Sequence, residues 1–317
     1  MTHIAILGEC MIELNGKPFG EMVQTFGGDT LNAAVYLCRA AQTQCGAGIK
    51  TSFVTAMGCD PLSDGMIARW QAEGVSTDMV LRDPGRTPGL YLIQLDDAGE
   101  RTFLYWRNQS AARYLLQHPD FGRIQDGLHK VDALMLSGIS LAILPEADRA
   151  ALLQLLASLQ KAGVEIAFDS NFRPALWPRE DGLKTVKDCY AAVYAATDLA
   201  LVTFDDEQLI WGDKTPEETL ARLQGQGVRR AVVKLGVDGC LVQDFTASKG
   251  AKAVPTQPVQ TVVDTTSAGD SFNGGFLSAH LAGASMEEAA ARGNALAGIV
   301  IAHRGAIIPR AATDVLV

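Results

Sequence analysis

The chain has 317 residues, 48% of them hydrophobic and 20% charged, which is ample material for a large core in one or two globular domains. Its formal net charge of −9 argues against non-specific nucleic-acid binding, although local cations can still receive an anionic small molecule. No run approaches the roughly 18 apolar residues of a membrane span, the first residues lack a signal-peptide pattern, and Cys10, Cys38, Cys45, Cys59, Cys189 and Cys240 are too scattered for a zinc site or disulfide framework.

In chain order, Ile4–Leu7 reads as a buried strand ending at Gly8-Glu9-Cys10. Met11–Asn15 and Val23–Phe26 suggest a short hairpin around Gly16-Lys17-Pro18-Phe19-Gly20. Gly27-Gly28-Asp29-Thr30-Leu31-Asn32 then opens a helix running to about Ala41. Ser52–Ala56 is strand-like, and Gly58-Cys59-Asp60-Pro61 leads into a helix through Trp70. Tyr91–Leu95 and Thr102–Trp106 flank Asp96-Asp97-Ala98-Gly99-Glu100, a hairpin signal. From Asp132 the rhythm becomes βαβα, with strands expected at Ala133–Leu136, Val164–Phe168, Leu199–Val202 and Ala231–Leu235. The pattern predicts an α/β fold: a mostly parallel central sheet with helices on both faces, and a small β-sheet lid inserted near 11–26 and 86–107. Ligands of such sheets collect beyond the carboxyl ends of the strands. There the chain places Gly8-Glu9, Ser137-Gly138, Asp169-Ser170-Asn171, Thr203-Phe204-Asp205-Asp206 and Gly236.

The most telling stretch is Asp264-Thr265-Thr266-Ser267-Ala268-Gly269-Asp270-Ser271-Phe272-Asn273-Gly274-Gly275. Thr261-Val262-Val263 before it reads as a strand, and Phe272, Phe276, Leu277 and Leu281 recur at helical spacing until Gly283. Small residues at Ser267, Ala268 and Gly269 let a ligand approach the first amides of a helix, where unpartnered N–H groups and the dipole favour an anion. Asp270 inside that cradle suits a base that deprotonates an attacking hydroxyl. A capped helix after a glycine turn would present the same residues.

Taken together, Gly27-Gly28 with Asn32 and the Asp264–Asp270 turn resemble the paired signatures of the ribokinase-like (PfkB) sugar kinases, over essentially the whole chain. Gly8-Glu9-Cys10-Met11-Ile12-Glu13-Leu14, Tyr105-Trp106-Arg107-Asn108, Ser137–Ala142, Arg173–Trp177 and Arg304–Pro309 narrow the likeness to members acting on a sugar acid. The resemblance implies transfer of the ATP γ-phosphoryl group to a terminal sugar-acid hydroxyl with Mg2+, and admits a monovalent cation. Asp270 is then the base, with the amides of Ala268, Gly269 and Asp270 around the phosphate. Gly28, Asp29 and Asn32 read sugar hydroxyls, Tyr91 and Tyr105 close over the sugar, and Arg107 and Arg173 grip its carboxylate. Asp29 also suits a helix cap, and the tyrosines also suit lid packing. Lys234, Gly236, Asp238 and Gly239 resemble the nucleotide loop, or a plain turn; Asn171 and Asn294 join the nucleotide set.

Two departures from the family pattern stand out. Ser267 replaces the usual glycine and is expected to begin the helix without a positive φ. The Asn-x-x-Glu element that organises magnesium through water aligns with Thr203 to Asp206, leaving Thr203 and Asp206, or else Glu207, near the metal. No Walker loop, dinucleotide fingerprint or hydrolase elbow is present, and His3, His118, His129, His280 and His303 lack ligand spacing. A neutral-sugar kinase and a catalytically silent sugar sensor remain alternatives, the latter disfavoured by Asp270. The lid's apolar face calls for a cover, so a homodimer through the lid is expected, with no nucleic-acid or membrane partner and a reducing cytoplasmic setting.

Overall fold

The structure, a computed structural model, describes residues 1–17, 19–42, 48–95, 101–178, 180–247 and 250–316. The expected turn at Asp96–Glu100, together with Pro18 and Cys45, lies outside these residues. The described strands are β1 (Thr2–Leu7), β2 (Met11–Gly16), β3 (Met22–Gly27), β4 (Ile49–Gly58), β5 (Val80–Asp83), β6 (Leu90–Leu95) and β7 (Arg101–Trp106). They continue with β8 (Ala133–Ser137), β9 (Glu165–Asp169), β10 (Leu199–Thr203), β11 (Arg230–Lys234), β12 (Cys240–Asp244) and β13 (Lys252–Val254).

Nine strands form one sheet in the order β13-β12-β11-β10-β9-β8-β1-β4-β5. All neighbours from β11 to β5 are parallel, while β12 and β13 run antiparallel at one edge. The central strands are continuous apolar runs because both faces are covered. In β8, Leu134 and Leu136 enter one core, and Ala133 and Met135 the other. The period of two divides each strand between two helix layers. The carboxyl ends of β1, β8, β9, β10 and β11 deliver Gly8, Ser137, Asp169, Thr203 and Lys234 to one edge.

The remaining strands form a separate small sheet in the order β3-β2-β6-β7. Its pairs are antiparallel except β2 with β6. Tyr91 lies opposite Tyr105, and Glu13 beside Tyr91. Val23, Phe103, Tyr105 and Trp106 remain exposed on it.

Two helices flank the functional edge. Asp29–Gln42 is buried from Thr30 to Ala41 and packs on Ala268–Leu281. The approach is close because Gly274 has no side chain. A Cβ there would lie 2.7 Å from Tyr36 Cβ and 2.8 Å from the Ala33 carbonyl oxygen.

The sequence expectation fails at Thr261-Val262-Val263, which forms no strand. The amides of Val263 and Asp264 both donate to the Ile301 carbonyl, at 2.8 and 3.2 Å. Val262 and Val263 stay exposed, so the β-branched side chains lie against a helix end without a strand partner. The stretch before Asp270 is therefore a loop-to-helix turn. The short edge strands β5 and β13, which carry Arg82, Asp83 and Lys252, escape the apolar-run pattern.

Gly274→Val is expected to destabilise the protein by about 1–3 kcal/mol or more through overpacking. Chemical denaturation would measure it, and activity should fall as Asp270 shifts away from Asn32.

Candidate active site

Asp270 lies in the first turn of Ala268–Leu281. Its Oδ2 accepts from Asn32 Nδ2 at 2.8 Å and from Ser267 Oγ at 2.9 Å. Among the described residues Oδ1 accepts no hydrogen bond, so one carboxylate oxygen is fixed while the other is left to take a proton. Burial, and then the charge of Asp29, push the Asp270 carboxyl up to about 7. Asp29 is raised in turn by burial, with a smaller contribution from Asp169. The pair thus resembles other sites where neighbouring acids resist ionising together.

Ser267 overturns the expectation for its backbone. Its φ is 65°, in the left-handed region. The turn needs that conformation to aim the next amides along the helix axis, a geometry easiest for glycine. Serine accepts the strain and contributes the hydroxyl that meets Asp270.

The expected sugar-side residues gather around the start of Asp29–Gln42. Gly28 is required by contact, since a Cβ there would come within 2.1 Å of the Glu9 carbonyl oxygen. Asp29 is not a simple cap: its Oδ2 accepts from Asn171 Nδ2 at 2.7 Å. Asn171, expected beside the nucleotide, is thereby tied to the start of Asp29–Gln42, with φ at 28°. Tyr91 donates its hydroxyl to Glu13 Oε2, and Thr25 Oγ1 donates to Glu13 Oε1 at 3.0 Å. Tyr105 is half exposed, with its ring 6.0 Å from that of Tyr91.

The two arginines differ. Arg173 is exposed, and its charge offsets a small part of the burial that raises the Asp206 carboxyl. Arg107, expected to grip the carboxylate, already has a partner within the fold. It is buried, and its Nη2 pairs with Glu9 Oε2, whose other oxygen accepts from Ser110 Oγ at 2.5 Å. Its Nε is buried without a hydrogen-bond partner. Glu9 lies in the link from β1 of the large sheet to β2 of the small one, and Arg107 follows β7, so the pair ties the end of β7 to the junction of the two sheets.

On the other side of Asp270 lies a cavity of about 610 Å3. Lys234, Gly236, Gly239, Gly269, Phe272 and Asn294 are among the residues that line it, with Ala268 and Thr203. Gly239 has φ of 88°, and a Cβ there would meet the Val254 carbonyl at 2.2 Å. Asn294 Nδ2 donates to that same carbonyl at 3.0 Å. Asp238 is exposed and is not among the lining residues. Lys234 is buried; its Nζ lies 3.2 Å from both Asp169 Oδ1 and Asn273 Oδ1.

At the expected metal position, Asp206 Oδ2 accepts from the Phe172 amide at 3.1 Å and Ser170 Oγ at 3.3 Å. Burial raises its pKa. Glu207 is not available as a substitute. It is fully buried, pushed up to about 7 by desolvation, and bonded by Arg222 Nη2 and Tyr194 Oη, each at 2.6 Å. Among the described residues, no three acidic, histidine or cysteine side chains gather as a chelate.

Glu9, Glu13, Asp169, Asn273 and Ser110 were not assigned from sequence. The strand ends before Glu9 and Asp169, and the motif stretches that contain Glu13 and Asn273, were the available signal; Ser110 showed none.

The parallel sheet, the small second sheet and the acid at a helix start define a ribokinase-like kinase fold. The chain matches the pfkB family carbohydrate kinase model over residues 1–313 and belongs to that family. It is 54% identical over 312 residues to a protein named 2-dehydro-3-deoxygluconokinase from Haemophilus influenzae, covering 98% of this chain and 97% of that one. A protein of the same name from Dickeya dadantii is 46% identical, with 97% of each chain covered. A crystal structure of fructokinase with bound ATP from Xylella fastidiosa shares the fold, with a TM-score of 0.80, 22% identity, and coverage of 98% and 94%.

For a base with its carboxyl near 7, kcat/KM is expected to rise with pH through an acid limb close to that value. Ser267→Gly removes a donor that favours the charged form, so the limb should move upward by roughly one pH unit. Relief of the left-handed strain should leave stability nearly unchanged; pH–rate profiles and denaturation melts check both.

Proposed function

We propose that the chain phosphorylates 2-dehydro-3-deoxygluconate (2-keto-3-deoxygluconate) at its terminal C6 hydroxyl, using ATP. The observation that carries the reading is the place of Asp270. It stands between the nucleotide-sized cavity and the polar group of Gly28, Asp29 and Asn32, with one oxygen held and the other not. The high identity to relatives named for this activity supports the choice of substrate.

In this reading the terminal hydroxyl gives its proton to Asp270 as its oxygen bonds to the γ-phosphorus, and the electron pair of the breaking bond leaves with ADP. Asn32 and Ser267 keep the carboxylate aimed. The amides of Gly269 and Asp270, unpartnered at the helix start, face the phosphate as its charge develops, while the Ala268 amide, expected to join them, is taken by the Thr265 carbonyl at 3.2 Å. Such a reaction depends on positioning and charge stabilisation more than on covalent chemistry. Lys234, Gly236, Gly239 and Asn294 bound the nucleotide, and the Asn294 side-chain oxygen is the group left to face the base.

Arg173 meets the substrate carboxylate, and Arg107, positioned by Glu9, supports it from the base of the small sheet. That sheet acts as the lid, with Tyr91 and Tyr105 over the sugar. Asp206, with Thr203 beside it, suits magnesium held through water. Hard oxygen donors, one or two carboxylates and substrate phosphates are the usual setting for this ion, which supplies charge neutralisation to the phosphates when bound. The enzyme works in the cytoplasm, consistent with Cys10, Cys38, Cys59, Cys189 and Cys240 as free thiols.

Sugar-dependent ADP release tests the activity. The keto-deoxy acid should exceed fructose and ribose by well over tenfold in kcat/KM, and Asp270→Asn should lower kcat by about 10²–10⁴ with ADP binding retained. Preference for a neutral sugar, or retained turnover in the variant, refutes the corresponding assignment.

Val23 and Phe103, in one register row and so on one face, give the lid an apolar patch that a second copy would cover. Light scattering at micromolar concentration should return a dimer mass, and Phe103→Lys should shift it toward the monomer.

A further inference from the structure

Gly269 presents a puzzle of its own. Its φ is not in the left-handed region. An added Cβ would have one neighbour within 4 Å, the Lys234 ammonium, at an ordinary contact distance of 3.7 Å. Neither backbone geometry nor packing therefore calls for glycine, and alanine would favour the helix. What glycine preserves is open volume between the first helical amides and a buried lysine.

That lysine is held with care. Lys234 ends β11 and is 8% exposed. Its Nζ donates to Asp169 Oδ1 and to Asn273 Oδ1, while Asn273 Nδ2 donates to Asp169 Oδ2 at 2.7 Å. The three side chains close a ring at the carboxyl ends of β9 and β11 and the first turns of Ala268–Leu281. An ammonium has three protons. Two are taken by this ring, and Lys234 also lines the cavity, which receives the third. Asn273 lies one turn beyond Gly269, so the ring sits directly beneath the anion cradle.

We infer that Lys234 is a catalytic residue whose ammonium touches the transferring phosphoryl group in the space left by Gly269, with Asp169 and Asn273 as positioning residues. The inference rests on the kinase reading above and adds a side-chain cation to it. Phosphoryl transfer spreads negative charge over the three equatorial oxygens. A donor already aligned, with its charge balanced by Asp169, stabilises that charge without reorganising. The only proton that moves is the one passing from the hydroxyl to Asp270.

The test uses two variants of the full chain, Lys234→Gln and Gly269→Ala. Gln keeps an amide donor for Asp169 without the charge; Ala leaves the ring intact and fills the space. For Lys234→Gln, kcat should fall by about 10²–10³, the loss typical of one donor to a developing oxyanion. ADP affinity should stay within about threefold, since ADP lacks the transferring group. Aluminium fluoride with the sugar acid, which mimics the transferring phosphoryl group, should tighten ADP binding to the wild type but to neither variant. Gly269→Ala should melt no lower than the wild type.

A kcat within tenfold of wild type in Lys234→Gln overturns the proposal, as does retained fluoride tightening, or ADP affinity that falls in step with kcat. If Lys234→Gln does not fold, tightening retained by Gly269→Ala overturns it. The wild-type control separates the two readings. Absence of ADP release with any sugar refutes the kinase assignment itself, whereas an active wild type with fully active variants refutes only the role of Lys234.

Discussion

The site depends on how near two helices can come. Gly274 lets Ala268–Leu281 press against Asp29–Gln42 at Ala33, Tyr36 and Leu37, and that contact brings Asn32 within 2.8 Å of Asp270. One helix starts just after Gly27-Gly28, the other just after the turn at Ser267. Their packed N-terminal ends make a seam with Asp270 on it. Interiors are packed too densely to absorb a shift of even one methyl group silently. Placement of the acid is thus a property of the core, established far below the surface where substrates arrive.

Around this seam the electrostatics are lopsided. Asp29, Asp206 and Asp270 all have raised carboxyl pKa values, with burial as the first cause and neighbouring acids as a further one. Asp169 contributes to each of the three and is itself paired with Lys234. The overall charge of −9 therefore does not describe the cleft. What matters is that each cation has a local assignment: Lys234 to Asp169, Arg107 to Glu9, and Arg173 near Asp206. An anionic cosubstrate fits such a place only through amides and cations already in position.

Much of this was legible in the sequence, and the reasons are local. Continuous apolar runs announced the central strands, and Gly27-Gly28 and the Asp264–Asp270 turn marked the two helix starts. Chemistry that depends on neighbours within a few residues could be read directly. Side-chain partnerships across the fold could not. Asn171 meets Asp29 across 142 positions, and Arg107 meets Glu9 across 98. Thr261–Val263 misled because β-branching describes a preference for a pleated surface, and no pleated surface was within reach. Ser267 misled for the opposite reason: residue type made a left-handed turn look unnecessary, but the helix axis demanded it.

The bond between Tyr91 and Glu13 has a consequence for recognition. A phenol owns one hydrogen, and this one is already directed at a carboxylate; desolvation and the Glu13 charge both hold it there by raising the phenol's pKa. To any visitor the Tyr91 oxygen shows only electron pairs. A group that bonds there must supply its own hydrogen, so an alcohol suits the Tyr91 oxygen and an oxo or carboxylate oxygen does not. On the proposed reading, in which this sheet closes over the sugar, that bond makes the lid a polarity filter, giving an otherwise flexible chain of carbons a head and a tail.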